Sequence, residues 1–206
     1  LCHVAEQAFT NIAPMSVGST VSFGESLRTI QEDLREIAPT FFLGVPRIWE
    51  KLHSSIYIKV QETGRVRQAL FNWAIRVCSP MATKPRPQWN LKERCLYSMS
   101  YWLVLRALQN FIGLRRCTIA LTGAAPISTG ILEFFRTIGI PLVEVYGQTE
   151  STGVATAQPV DDVRLGTVGA AIAGVEVTLG ENNEIIMRGG SMFKGYYKND
   201  QATEST

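Results

Sequence analysis

Residues 117–147 predict the fold class: an α/β fold with a mostly parallel sheet, flanking helices and a smaller β region. The buried-type strand CTIALTG is followed by an amphipathic helix, drawn by Ile131, Phe134, Phe135 and Ile138, and then by the strand IPLVEVYG. That order is a βαβ crossover, which joins parallel neighbours in one sheet. Upstream, Ile48, Leu52, Ile56 and Val60 recur every four positions, as one face of a helix requires. Downstream, GVEVTLG and NEIIMRGG read as two β segments joined by the turn residues Gly180, Asn182 and Asn183.

Taken in order, TFFLGVP at 40–46 is a short apolar strand closed by Gly44 and Pro46, and the helix carrying Ile48 follows it in RIWEKLHSSIYIKVQE. A second helix is expected over about 65–79, its inner face formed by Val66, Leu70, Trp73 and Val77. Pro80, Pro85 and Pro87 stop it and make an exposed connection, because proline lacks the amide hydrogen a helix needs. Another helical pattern runs from about 91 to 112. In the crossover, Ser128 or Thr129 caps the helix and Gly139 ends it. Trp49, Phe71, Trp73 and Trp102 are expected in the core, and His53, inside a helix, at the surface. The chain then divides into an α/β part, 1–163, and a smaller β region, 164–206.

Composition narrows the function classes. A 206-residue chain with 46% hydrophobic residues can bury a substantial core. Twenty Lys and Arg against 18 acids leave a formal charge of +2, too little for the basic field that nucleic acid requires, so no nucleic-acid partner is expected. Cys2, Cys78, Cys95 and Cys117 lie far apart without a CxxC pair, which argues against a zinc site and fits free thiols in a reducing cytoplasm. The apolar run YWLVL at 101–105 is far short of a membrane span, so no transmembrane segment is expected. The chain starts at Leu1 without a methionine and is expected to be a fragment of something longer. Walker, dinucleotide GxGxxG and GxSxG patterns are all missing from it.

In open parallel sheets ligands bind at the carboxyl ends of the strands. Both crossover strands end there in polar, glycine-bearing loops, TGAAP and YGQTESTG. Gly123, Ala124 and Ala125 carry almost no side chain, so a planar base can pack on their backbone. Tyr146 offers a flat face for stacking, and the Thr149 hydroxyl can donate to a phosphate oxygen. A carboxylate beside a phosphate repels it unless a cation lies between them, so Glu150 points to Mg²⁺. Gly, Thr, Ser and Glu after a strand are equally ordinary loop and helix-cap residues, and loop chemistry alone favours that plainer reading.

Four stretches shift the balance. LTGAAPIS, VEVYGQTESTG, RLGTVGAAIAGVEV and NEIIMRGGSMFKGYYKND, in that order, resemble the adenylate-forming superfamily. LCHVAEQ resembles the LPLxHxxE segment of its long-chain fatty acyl-CoA synthetases, and PTFFLGVPRIWEKL closely resembles a phrase those enzymes carry. Within that branch the resemblance leans towards the bubblegum type or its bacterial relatives. The resemblance implies an internal fragment of the large N-terminal domain of an adenylate-forming enzyme. The activity implied is activation of a fatty acid with ATP to acyl-AMP and pyrophosphate, then transfer of the acyl group to CoA.

By that resemblance Gly123, Ala124 and Ala125 line the adenine pocket, and Tyr146 with Gly147 receives the nucleotide. Thr149 binds the α-phosphate, Glu150 holds Mg²⁺, and His3 lies near the reacting carboxylate. The partners implied are ATP, a long-chain fatty acid and coenzyme A, in the cytoplasm, with peripheral membrane contact left open. A fatty acyl-AMP ligase serving a carrier protein, or a noncatalytic lipid- or nucleotide-binding module, are the alternatives. The Ser/Thr/Gly-rich phosphate loop, the ribose-binding aspartate and the C-terminal catalytic lysine of the superfamily are not found in these 206 residues. Asn183 replaces the glycine usual before Glu184.

Overall fold

The structure, a computed structural model, describes residues 3–205. They form two compact units, one built from 22–144 and 158–169, the other from residues up to 21, 145–157 and 170 onward.

The first unit holds the parallel sheet. Strand β1 (Phe41–Leu43) pairs in parallel with β2 (Ile119–Thr122), and β2 with β3 (Leu142–Tyr146), in the register Phe41↔Ile119 and Ala120↔Leu142. Helix Thr129–Thr137 makes the crossover between β2 and β3 that the hydrophobic pattern predicts. Ser128 is its N-cap by backbone position, although its hydroxyl makes no capping hydrogen bond. The chain turns out of the helix at Gly139, whose φ of 88° is left-handed.

Helix Pro46–Gln61 begins with proline in its first turn, where a missing amide hydrogen costs nothing. It sends Trp49, Leu52 and Ile56 into a core shared with Leu132, Phe135 and Leu142, all essentially inaccessible to solvent. Each such side chain contributes about 1.5–3 kcal/mol by leaving water. The Trp49 ring meets Phe42 and Phe135 edge-on at 5.3 and 4.9 Å, and its Nε1 donates to the Gly44 carbonyl at 2.9 Å, so its one polar atom is satisfied.

Two of the expected faces differ. Helix Arg65–Cys78 buries Phe71, Ala74 and Cys78, whereas Val66 is 75% exposed and Leu70 lies at the surface. Both sets have helical spacing, and the Phe71 ring packs edge-on against Tyr57 of helix Pro46–Gln61, with centroids 5.4 Å apart. The pattern over 91–112 is also interrupted. Helix Leu91–Ser100, capped reciprocally by Asn90 and Glu93, runs into a π-helical stretch, Tyr101–Leu105, before helix Arg106–Phe111. There Trp102 is 68% exposed rather than in the core, its ring covered by the Arg106 guanidinium at 4.8 Å. His53 departs in the opposite direction. It is half-buried, its ring 4.6 Å from Phe134 and 4.7 Å from Tyr57, and burial lowers its pKa.

In the second unit, the last residues of β3 pair antiparallel with β4 (Thr156–Ala157), and β4 with β5 (Ala170–Ala171). A hairpin of β6 (Val175–Leu179) and β7 (Ile185–Gly189) stands beside them in sequence, as the turn signals predict. Asn182 and Asn183 are both left-handed, at φ 59° and 63°. Asparagine tolerates that region better than other residues with a Cβ, so Asn183 can stand where glycine is usual. Among the described residues no helix is long and apolar enough to cross a membrane.

Candidate active site

The loop after β3 is shaped by its own backbone. Ala155 N–H donates to the Tyr146 carbonyl at 2.8 Å, so the chain closes back on the strand end after eight residues of excursion and reversal. Gly147 sits where that closure is tightest, and a Cβ there would stand 1.6 Å from the Gly153 carbonyl oxygen. Ser151 ties the turn from inside: its Oγ accepts from Gln148 N–H and donates to the Gln148 carbonyl, each at 3.0 Å. Thr149–Ser151 forms a single 3₁₀ turn, followed by left-handed Thr152 and Gly153. Tyr146 and Gly147 are half-buried and Thr149 is exposed.

Glu150 is held at both ends. Its backbone carbonyl accepts from Phe193 N–H at 2.8 Å, and its Oε1 accepts from the Tyr196 hydroxyl at 2.6 Å. That hydroxyl, with the backbone amide of Glu150 itself, keeps the carboxyl below its ordinary pKa. The carboxylate is therefore ionised at neutral pH, as a cation ligand must be. Among the described residues no group of three or more His, Cys, Asp and Glu could hold a metal. Mg²⁺ does not require one, because with a nucleotide it takes one or two carboxylates and fills its other positions with phosphate oxygens and water. A single ionised Glu150 fits that donor set.

The loop after β2 belongs to the other unit. Gly123 is buried, while Ala124 and Ala125 are exposed. Ala124 has φ 68°, a conformation that costs a residue with a Cβ about 1 kcal/mol. Under this loop lie two polar side chains that the sequence reading passed over. Thr122 is fully buried, and its Oγ1 has no hydrogen-bond partner among the described residues. Glu144, in register with Thr122, is 8% exposed, and its Oε1 accepts from Ile127 N–H at a long 3.5 Å. Glu144 was detectable as an anomaly, being the one charge in an apolar strand of a parallel sheet.

Burial raises the Glu144 pKa, against a smaller lowering by the Ile127 amide. A group whose folded pKa is raised favours folding while protonated. That stability is full below about 4.5, the ordinary value, and is lost as pH rises through the folded value. Glu144→Gln keeps the acceptor and cannot ionise, so it is expected to melt above wild type at pH 7, with the gap closing towards pH 4. Melting curves at pH 4, 5.5 and 7 measure this, and a gap independent of pH would overturn it.

His3 is exposed and acts as the N-cap of the helical turn Val4–Glu6, its Nδ1 accepting from Ala5 N–H at 3.2 Å. With Nδ1 accepting, the neutral ring carries its proton on Nε2. Cys2, beside it, lies outside the described residues.

A family model described as AMP-binding enzyme matches residues 1–197. The long-chain-fatty-acid–CoA ligase ACSBG2 of Gallus gallus is 33% identical over 215 residues, covering 99% of this chain and 28% of the relative. The long-chain-fatty-acid–CoA ligase FadD15 of Mycobacterium bovis is 28% identical over 209 residues, covering 98% of this chain and 33% of the relative. This chain thus spans about a third of the length of such relatives. Among solved structures, the O-succinylbenzoate coenzyme A synthetase MenE from Bacillus subtilis, in complex with ATP and magnesium ion, has a similar fold. Its TM-score is 0.61 at 15% identity, over 98% of this chain and 34% of that one. Apo MatB from Rhodopseudomonas palustris gives 0.59 at 18% identity, over 98% and 33%. With the family model running through both loops and the whole β3 turn, the chain belongs to the AMP-binding enzyme family.

Proposed function

We propose that this chain is the middle part of a long-chain fatty acid:CoA ligase of the AMP-forming type. The turn at the end of β3 carries the reading, because it pairs an exposed Thr149 hydroxyl with an ionised, anchored Glu150 on one loop. Similarity to long-chain-fatty-acid–CoA ligases over nearly the whole chain supports the substrate class.

In this reading a fatty carboxylate oxygen attacks the α-phosphorus of ATP, the bond to the bridging oxygen breaks, and pyrophosphate leaves. The CoA sulfur then attacks the acyl carbonyl, losing its proton, and AMP leaves. Gly123, Ala124 and Ala125 are assigned to adenine through their backbone, and Tyr146 and Gly147 to the nucleotide. Thr149 donates to the α-phosphate, where charge develops during the attack. Mg²⁺, bound through Glu150, supplies charge neutralisation on the phosphates. His3 is assigned to the reacting carboxylate, which it would meet through Nε2, the nitrogen not used in its cap. We also assign 1–163 to the α/β part and 164–206 to the smaller β region of one adenylation domain. A cytoplasmic location accompanies this assignment.

The test is a comparison of palmitate and acetate with the full-length enzyme, following pyrophosphate and CoA thioester. Palmitate is expected to turn over faster, and the 206-residue chain alone to form no thioester. Faster turnover on acetate would overturn the long-chain assignment, and acyl-AMP without thioester would favour a ligase serving a carrier protein.

A further inference from the structure

We propose that Tyr196 is a positioning residue for the Glu150 carboxylate, fixing which of its oxygens faces the cation. This inference rests on the reading of Glu150 as a metal ligand.

A surface glutamate has three rotatable side-chain bonds and ordinarily samples several rotamers. Here the Tyr196 hydroxyl donates to Oε1 at 2.6 Å, within the short range of hydrogen bonds to an ionised acceptor, which are stronger than neutral ones. The donor is itself fixed. The Tyr196 ring stands edge-on to Phe193, with centroids 4.9 Å apart and planes at 74°. The Tyr196 backbone N–H donates to the Thr203 hydroxyl at 2.9 Å, and its carbonyl accepts from Asn199 N–H at 3.2 Å. The segment leading to it is tied to the same turn twice, by Phe193 N–H to the Glu150 carbonyl and by the Thr152 hydroxyl to the Ser191 carbonyl. Residues 191–196 therefore form a strap across the 149–152 turn.

A selectivity consequence follows from the geometry of the carboxylate. With Oε1 engaged by a hydroxyl, Oε2 remains as the ligand atom, and a one-oxygen contact suits small, octahedral Mg²⁺. Ca²⁺ commonly takes both oxygens of a carboxylate, which the Tyr196 hydroxyl opposes. Tyr196 thus both orders Glu150 and disfavours the larger ion.

The test uses the full-length enzyme saturated with a nonhydrolysable ATP analogue, with Mn²⁺ as the probe and free Mn²⁺ read by electron paramagnetic resonance. Tyr196→Phe keeps the ring and its stack on Phe193 while deleting the hydroxyl. Mn²⁺ affinity is expected to fall about tenfold, as for loss of an outer partner of a metal ligand, with the melting temperature unchanged. Ca²⁺ is expected to displace Mn²⁺ more readily from this variant than from wild type. Wild-type Mn²⁺ affinity would overturn the positioning role, and equal displacement by Ca²⁺ would overturn the selectivity. Glu150→Gln, measured alongside, separates the two layers. If it leaves Mn²⁺ affinity intact, the metal-ligand reading fails; if it weakens affinity while Tyr196→Phe does not, only the positioning role fails. Adding Tyr196→Phe to Glu150→Gln is expected to cause no further loss, whereas an additive loss would mean that Tyr196 acts elsewhere.

Discussion

Glu150→Gln in the full-length enzyme is expected to slow adenylation roughly 30-fold to 1000-fold while leaving the fold intact, comparable to removing one preorganised electrostatic contact. Glutamine has nearly the same size, and its amide oxygen can still accept from the Tyr196 hydroxyl, so the turn and the strap across it persist. What it lacks is the negative charge that makes an oxygen a good Mg²⁺ ligand. The transferring adenylyl group, like a transferring phosphoryl group, is stabilised by charge more than by covalent chemistry, so the loss falls on the first half-reaction. Thioester formation from preformed acyl-AMP involves no pyrophosphate and is expected to fall less. Measuring both half-reactions, their magnesium dependence and the melting temperature resolves the roles. A variant with near-normal adenylation would rule out Glu150 as the ligand and leave it as an ordinary turn residue.

Gly147→Ala is expected to destabilise the protein by about 3 kcal/mol or more and to reduce adenylation with it. Gly147 does not owe its identity to a left-handed φ, since it is not among the positive-φ glycines. The reason is proximity: the Gly153 carbonyl oxygen would have to retreat from 1.6 Å to 3.0 Å or beyond from a new Cβ, with the carbonyl carbon at 2.7 Å and Ala155 N at 2.9 Å beside it. All three are backbone atoms, so no side chain can swing aside. Opening the loop that far strains the Ala155 to Tyr146 hydrogen bond and the Ser151 tie, and it displaces Thr149 and Glu150, which ride on the same turn. Gly153→Ala is the informative comparison, because a Cβ there meets nothing within 4 Å and only the φ of 108° is unfavourable. Denaturant unfolding of both variants separates steric clash from backbone strain. Wild-type stability in Gly147→Ala would mean that the loop closure does not require glycine at this position.

The crossover from β2 to β3 was legible in the sequence because two short apolar runs, each closed by a glycine, flank a helix long enough to display its period. So was the hairpin of β6 and β7, whose Asn182 and Asn183 announce a left-handed turn. The helix over Arg65–Cys78 was legible as a helix but not in its phase. Val66, Leu70, Trp73 and Val77 are spaced as well as Phe71, Ala74 and Cys78, and local periodicity holds no information about which neighbouring surface can accept a given stripe. The exposure of Trp102 was equally hidden, since it depends on the π-helical stretch Tyr101–Leu105, where the facing of side chains changes without any proline or glycine to mark it.

By itself, then, the sequence determined the α/β class, the one crossover over 117–147 and the loops at the carboxyl ends of its strands, all of which follow from short-range patterns of apolar and turn residues. Tertiary structure decided the rest. It brought Tyr196 to Glu150 across 46 positions, placed the Phe193 amide on the Glu150 carbonyl, and set Glu144 beneath the Ile127 amide. A hydrogen bond between distant residues leaves no periodic trace in a chain, because its geometry is the joint product of every turn between its ends. The choice of glycine at Gly147 is of the same kind, made by the Gly153 carbonyl, which takes the space a Cβ would need only once the loop has closed.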